Sequence, residues 1–151
     1  QLVKARAGLE AVSLDLNGWD SHFAATTLMN PLMRQLAEGL AAFRKDLGAD
    51  MDKVTVAVMS EFGRRIYQNV SFGTDHGQGG VMFMLGNNIR GGHIFHNWKG
   101  LTEDHLVGPG DLSVEFNYRD VLAPVLSRHG GTNTLEAVFP EFPIAPLDLY
   151  T

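Results

Sequence analysis

Cysteine is absent from the 151 residues, which removes disulfides, thiolate zinc sites and cysteine nucleophiles together. Any metal in this chain must therefore be held by imidazole and carboxylate. Apolar runs of the roughly 18 residues expected of a membrane span are also lacking, and residues 1–6 offer no signal-peptide h-region. Basic clusters are missing too: 12 Lys and Arg stand against 17 Asp and Glu, a formal net charge of -5, which argues against a nucleic-acid backbone as partner. No Gly-x-Ser-x-Gly elbow occurs, and Gly77-Gln78-Gly79-Gly80 leads into a strand-like run instead of the helix that a phosphate-cradling loop needs. A hydrophobic content of 44% is ample for one core, so residues 1–151 read as a single α/β domain without an internal boundary. The chain starts without Met inside a helical run over residues 1–9, as expected of a piece of a longer polypeptide.

Periodicity supplies the elements. Residues 10–16 alternate with Val12, Leu14 and Leu16 on one face, the period of a strand that Asn17-Gly18 ends. From about residue 24 to 47, Leu28, Leu32, Leu36, Leu40 and Phe43 recur at steps of three and four, a helix that Gly48 stops. Val54-Thr55-Val56-Ala57-Val58-Met59 is β-branched and nearly all apolar, as expected of a central strand covered on both faces and the most buried of the set. Residues 63–80, rich in Gly, Asn and Ser, lack either period and read as loop. Residues 81–85 form another short apolar strand, and Ile94 with Phe95 an edge strand. Residues 118–129 repeat Val121, Leu122, Val125 and Leu126 at helical spacing, with Asp120 early and Arg128 and His129 late, until Gly130-Gly131. Three prolines keep residues 138–146 irregular, with the phenylalanines packed over the domain edge.

The chemistry-bearing residues follow apolar runs, where α/β folds keep their sites. Gly18-Trp19-Asp20-Ser21-His22 and Ser60-Glu61-Phe62-Gly63-Arg64, the latter followed by Gly73-Thr74-Asp75-His76-Gly77, offer carboxylates and imidazoles that loops can converge on a divalent ion. Asp20 and His22, two apart, are same-face neighbours on an extended chain and reach one ion together. Bland readings stand beside these. Asp20 serves equally as the cap of the helix beginning near residue 23 or 24, and Glu61 as the partner of Arg64 or Arg65. His93, His96 and His105 read as surface groups. His76 is hardest to explain structurally, because a Gly-rich turn needs no imidazole. A Ser60–His76–Asp75 triad is disfavoured, since adjacent Asp and His do not readily stand in line.

Those motifs, with Asn69, Gly86, Arg90-Gly91-Gly92, Trp98-Lys99-Gly100-Leu101 and Tyr118-Arg119-Asp120-Val121-Leu122, resemble over nearly the whole chain the family named domain of unknown function 1501. That family in turn resembles the alkaline phosphatase and sulfatase superfamily. The resemblance implies a mostly parallel sheet flanked by helices, of which this chain is the C-terminal half. It implies one ion held by Asp20, His22 and His76, and a second, less complete site using Glu61 and Asp75, because Glu61-Phe62 stands where the superfamily has an Asp-His pair. The nucleophile would lie in the N-terminal half. Implied for an intact member is metal-dependent hydrolysis of a small anionic phosphate or sulfate ester, with zinc, manganese, calcium or magnesium as cofactor and Arg64 on a nonbridging oxygen. The competing role for Arg64 is a pair with Glu61. The resemblance also implies export of full-length relatives, and a truncated sheet implies oligomers through its open edges. The rival expectation is a non-catalytic binding or assembly module on a degenerate scaffold of the same kind.

Overall fold

The computed structural model describes residues 2–130 and 134–151. Its longest element is α1 (Ala25–Leu47), followed by a 3-10 turn at Gly48–Lys53, β1 (Val56–Val58), β2 (Gly63–Arg64), β3 (His76–Gly77), β4 (Phe83–Leu85), a second 3-10 turn at Glu103–His105, α2 (Tyr118–Gly130) and α3 (Thr134–Val138). None of the described helices is long and apolar enough to cross a membrane.

Helix α1 forms where the leucine period predicts it, with Leu28, Leu32, Leu36 and Leu40 half-buried and Leu47 buried. Arg44 and Lys45 sit in its last turn, favourably for the helix dipole. Gly48 ends it at φ 53, a left-handed conformation that glycine adopts without Cβ strain, and its N–H closes on the Arg44 carbonyl. In α2, the Asn117 side chain accepts from the Arg119 N–H at 3.0 Å, satisfying one of the free donors of the first turn. Val121 and Ala123 are its buried residues. Of the expected Gly130-Gly131 stop, Gly130 is the last residue of α2 and Gly131 lies outside the described residues.

The sheet differs from expectation. A mostly parallel α/β sheet of alkaline-phosphatase type is overturned by the pairing: β1 runs antiparallel to β4, with Val56 opposite Leu85 and Val58 opposite Phe83. Strands β2 and β3 form a second, separate antiparallel pair, Gly63 opposite Gly77 and Arg64 opposite His76. Parallel neighbours need a crossover connection that returns the chain to the same end. Here the residues between β1 and β4 fold back through the small β2–β3 ladder instead, so residues 63–80 are not wholly loop. Nor is the run around β1 a deeply buried central strand: Val56 and Val58 are half-buried, Ala57 is exposed, and only three residues pair. Among the described residues β4 is its one paired strand, and no described helix packs closely on its faces.

The N-terminal stretch also departs from its pattern. Residues 2–6 form turns and 7–20 form no strand, although the alternation is there. Its expected helix begins at Gln1, which lies outside the described residues. A strand exists only when another strand supplies its hydrogen bonds; this stretch is largely exposed and meets α1 near its two ends, with Lys4 on Asp46 at 2.7 Å and Gly18 against Leu32. Ile94 and Phe95 form no strand either.

The buried apolar residues lie at the end of α1 and in the turn after it, in α2, just after α3 and in the C-terminal tail. They are Leu47, Met51, Val121, Ala123, Phe139 and Leu149, with Met51 the most enclosed large side chain at 1% exposure. The proline-rich tail is irregular as expected, and backbone hydrogen bonds rather than regular structure hold it: Leu147 N–H to Asp120 O, Arg90 N–H to Leu149 O and Thr151 N–H to Asn88 O.

Candidate metal centre

After Gly18 the chain makes a tight turn, the Ser21 N–H closing on the Trp19 carbonyl at 2.9 Å; Ser21 is buried, while Asp20 and His22 on either side of it are exposed. The loop between β2 and β3 is zipped onto this segment. Phe72 bridges Phe23, and the carbonyls of Ser71 and Phe72 accept from the N–H groups of Ala24 and Ala25. These are helix-start donors without intrahelical partners, so the loop supplies what a cap would. Asp20 is accordingly not the cap: position 24 precedes the helix, with no side-chain capping bond.

Asn69 fixes the loop internally. Its side-chain oxygen accepts from the N–H groups of Ser71 and Gly73, and its Nδ2 donates to the His22 carbonyl at 2.9 Å and to Asp75 Oδ1 at 3.1 Å. Gly73 presses so closely on the His22 backbone that a Cβ there would overlap the His22 carbonyl. The loop therefore delivers β3, and with it His76, to the face carrying Asp20 and His22.

Three donor atoms meet there. His76 Nε2 lies 2.7 Å and His22 Nε2 3.0 Å from Asp20 Oδ1, and the two imidazole nitrogens are 3.1 Å apart. Tetrahedral ligands at about 2.0–2.1 Å from an ion stand about 3.3 Å from one another, so the trio is a few tenths of an ångström tighter than a metal-bound set and fits one. Two imidazoles and one carboxylate form a donor set suited to a borderline transition-metal ion. All three side chains are about half exposed, at 58%, 46% and 44% for Asp20, His22 and His76. The hydrogen bond from His76, reinforced by the charges of His76, His22 and Arg64, holds the Asp20 carboxyl below the ordinary aspartate value against a smaller opposing effect of desolvation.

His76 is oriented by Phe62, whose ring stacks on it at 3.9 Å between centroids, and the Arg64 guanidinium lies over the same Phe62 ring at 5.1 Å from its centroid. Arg64 donates to the carbonyls of Thr74 at 2.7 Å and Trp19 at 2.8 Å, tying together the two chain segments that carry the donors. It approaches Asp20 at 3.5 Å.

Sequence expectation and geometry thus agree on Asp20, His22 and His76, the one group among the described residues whose ligand atoms converge in this way. Glu61 is exposed and outside that group. It does not take Arg64 or Arg65 as partner, because Arg65 bonds Asp111 at 3.3 Å and approaches Asp75 at 3.6 Å. Asp75 stands behind His22, its Oδ1 3.5 Å from Nδ1. The Asn69 hydrogen bond above all, then those from His22 and the charge of Arg65, lower the Asp75 carboxyl from its ordinary value. Ser60 donates to the Phe62 carbonyl, not to His76. The roles of Phe62 and Asn69 were not read from the sequence. Asn69 with Gly73 four residues on was the available signal, since Asn side chains commonly bond backbone N–H groups two or more residues ahead.

A family model described as protein of unknown function (DUF1501) matches residues 2–131, including all three donors. The chain belongs to the DUF1501 family. No curated protein and no solved structure matches this DUF1501 chain. The further likeness to alkaline phosphatases and sulfatases gains no support from these comparisons, and the antiparallel pairing contradicts the mostly parallel sheet that it implied.

Proposed function

We propose that this DUF1501 chain provides the metal centre of a hydrolase, for which the sequence resemblance alone suggests small phosphate or sulfate esters as substrates. The observation carrying the reading is the meeting of Asp20 Oδ1, His22 Nε2 and His76 Nε2 within about hydrogen-bonding distance of one another on an open face. Three electron-rich atoms this close repel unless a proton or a cation lies between them. Three protein ligands also leave a coordination position for water or substrate, the usual difference between a catalytic and a structural site. When bound, a divalent ion supplies Lewis acidity and lowers the pKa of an attacking oxygen. The chain's own residues hold and orient. Asp20, His22 and His76 are the ligands, Phe62 fixes the plane of His76, and Arg64 is committed to the Trp19 and Thr74 carbonyls as a positioning group.

Metal analysis of the purified chain after exposure to zinc, manganese, magnesium and calcium tests the reading, together with turnover of aryl phosphate and aryl sulfate esters. One equivalent of bound ion, lost in Asp20→Ala and His76→Ala, is the expected result. No ion bound at neutral pH, or binding unchanged in both variants, overturns it. A second reading, a metal-binding module without catalysis, is favoured by the position of Glu61 outside the trio and by the Ser60 hydroxyl being engaged with Phe62. Stoichiometric metal binding without ester turnover in the full-length protein would select it.

A further inference from the structure

We propose that Asp75 is the positioning carboxylate of His22, held by Asn69, and not a ligand of a second ion. The inference rests on the metal-centre reading and deepens it. A histidine ligating through Nε2 must carry its proton on Nδ1. The group facing Nδ1 of His22 is Asp75 Oδ1, at 3.5 Å, while Nε2 points to Asp20 and His76. A carboxylate behind a ligating imidazole selects the ring tautomer and raises the basicity of the nitrogen that binds the ion.

Asp75 is itself placed from two sides. Asn69 Nδ2 donates to Oδ1 at 3.1 Å, and Arg65 stands 3.6 Å from Oδ2, with Arg65 in turn on the buried Asp111 at 3.3 Å. The same Asn69 nitrogen donates to the His22 carbonyl, so one side chain sets both the backbone of the ligand and the carboxylate behind its ring. Asp75 therefore has its oxygens engaged away from the converging trio, and its oxygens are not part of that trio. His76 is oriented by different means, the Phe62 stack. The two imidazoles should accordingly respond to different substitutions.

The test uses the full chain, zinc ion alone as probe, and Asp75→Asn, which keeps shape and removes charge. Calorimetric zinc titration is expected to show a 10–100-fold loss of affinity, the usual effect of removing an outer partner of a ligating histidine. Nitrogen NMR of the metal-free chain is expected to show His22 protonated on Nδ1 in the parent and redistributed toward Nε2 in the variant, with His76 unchanged. Asn69→Ala is expected to shift both readouts in the same direction by less. Unchanged affinity in Asp75→Asn overturns the proposal. So does lost affinity with an unchanged His22 tautomer, which would make Asp75 a ligand. Should Asp75→Asn not fold, the parent spectrum decides: His22 protonated on Nε2 overturns the proposal. If the parent binds no zinc, the metal reading fails, while the tautomer readout still judges Asp75.

Discussion

Gly73 shows how a single missing side chain holds the centre together. The nearest atoms to a Cβ at that position are the backbone carbon and oxygen of His22 and the nitrogen of Phe23, and backbone, unlike a flexible side chain, yields only by moving the whole segment. Gly73→Ala is expected to cost about 1–3 kcal/mol, the usual penalty for overpacking, and to weaken zinc binding by displacing His22; urea unfolding and zinc titration measure both. Asp46 offers a charge prediction at the same scale. The hydrogen bond and charge of Lys4 hold its carboxyl below the ordinary aspartate value. Because the folded value is the lower one, the interaction is fully present above the unfolded value and disappears as pH falls through the folded one. Lys4→Ala should therefore raise the Asp46 midpoint in a carboxyl-carbon NMR titration, and high salt should do so partly, since both groups are exposed. At this scale the sequence was readable where chemistry needs a scarce residue type, as with His76 among glycines. It misled where a carboxylate has several uses: Asp20, Glu61 and Asp75 look alike in sequence, and only their neighbours separate donor, free surface group and support.

Helix α1 begins in an unusual way for its length. Ala24 stands before it at φ 44 and ψ 41, a left-handed conformation, with no side-chain cap. That conformation costs an L-residue roughly 1–2 kcal/mol, offset here because the N–H groups of Ala24 and Ala25 reach Ser71 and Phe72 carbonyls. Ala24→Gly keeps those bonds and removes the strain, while glycine's freer unfolded state returns about 0.4–1 kcal/mol of the gain. A net stabilisation of about 0.5–1 kcal/mol is expected, read as a raised urea midpoint at unchanged slope. The two long helices were legible because their period and dipole-suited charges are local, as is the Gly48 stop of α1. The strands were not, because pairing is non-local. Residues 10–16 alternate but meet no partner, and the apolar run around β1 has the composition of a central strand while only Val56–Val58 pairs, antiparallel, with Phe83–Leu85.

A folded monomer of 16.5 kDa exposes about 7,500 Å² of surface by the usual scaling, yet this chain exposes 10751 Å². The difference, about 3,000 Å², exceeds the roughly 1,600 Å² that a standard protein interface buries in total. Much of it is apolar: Val70 is 99% exposed, Leu14 87%, Ile94 83% and Phe72 70%. Each two-stranded sheet also leaves outer edges without a neighbouring strand among the described residues, where further pairing could add one. Both features drive association, and they are separable. Concentration-dependent mass in sedimentation velocity, with binding of an apolar dye that falls as the mass rises, is the expected behaviour. Lysine at two exposed apolar positions, Val70→Lys with Ile94→Lys, removes little packing, because those side chains touch little. If apolar contact is the cause, the double variant stays monomeric to higher concentration with its urea midpoint preserved. If edge pairing is the cause, the mass is unaffected and added β signal accompanies it in infrared spectra. A concentration-independent monomer that binds no dye would show that this much apolar surface is tolerated in water, against the area argument.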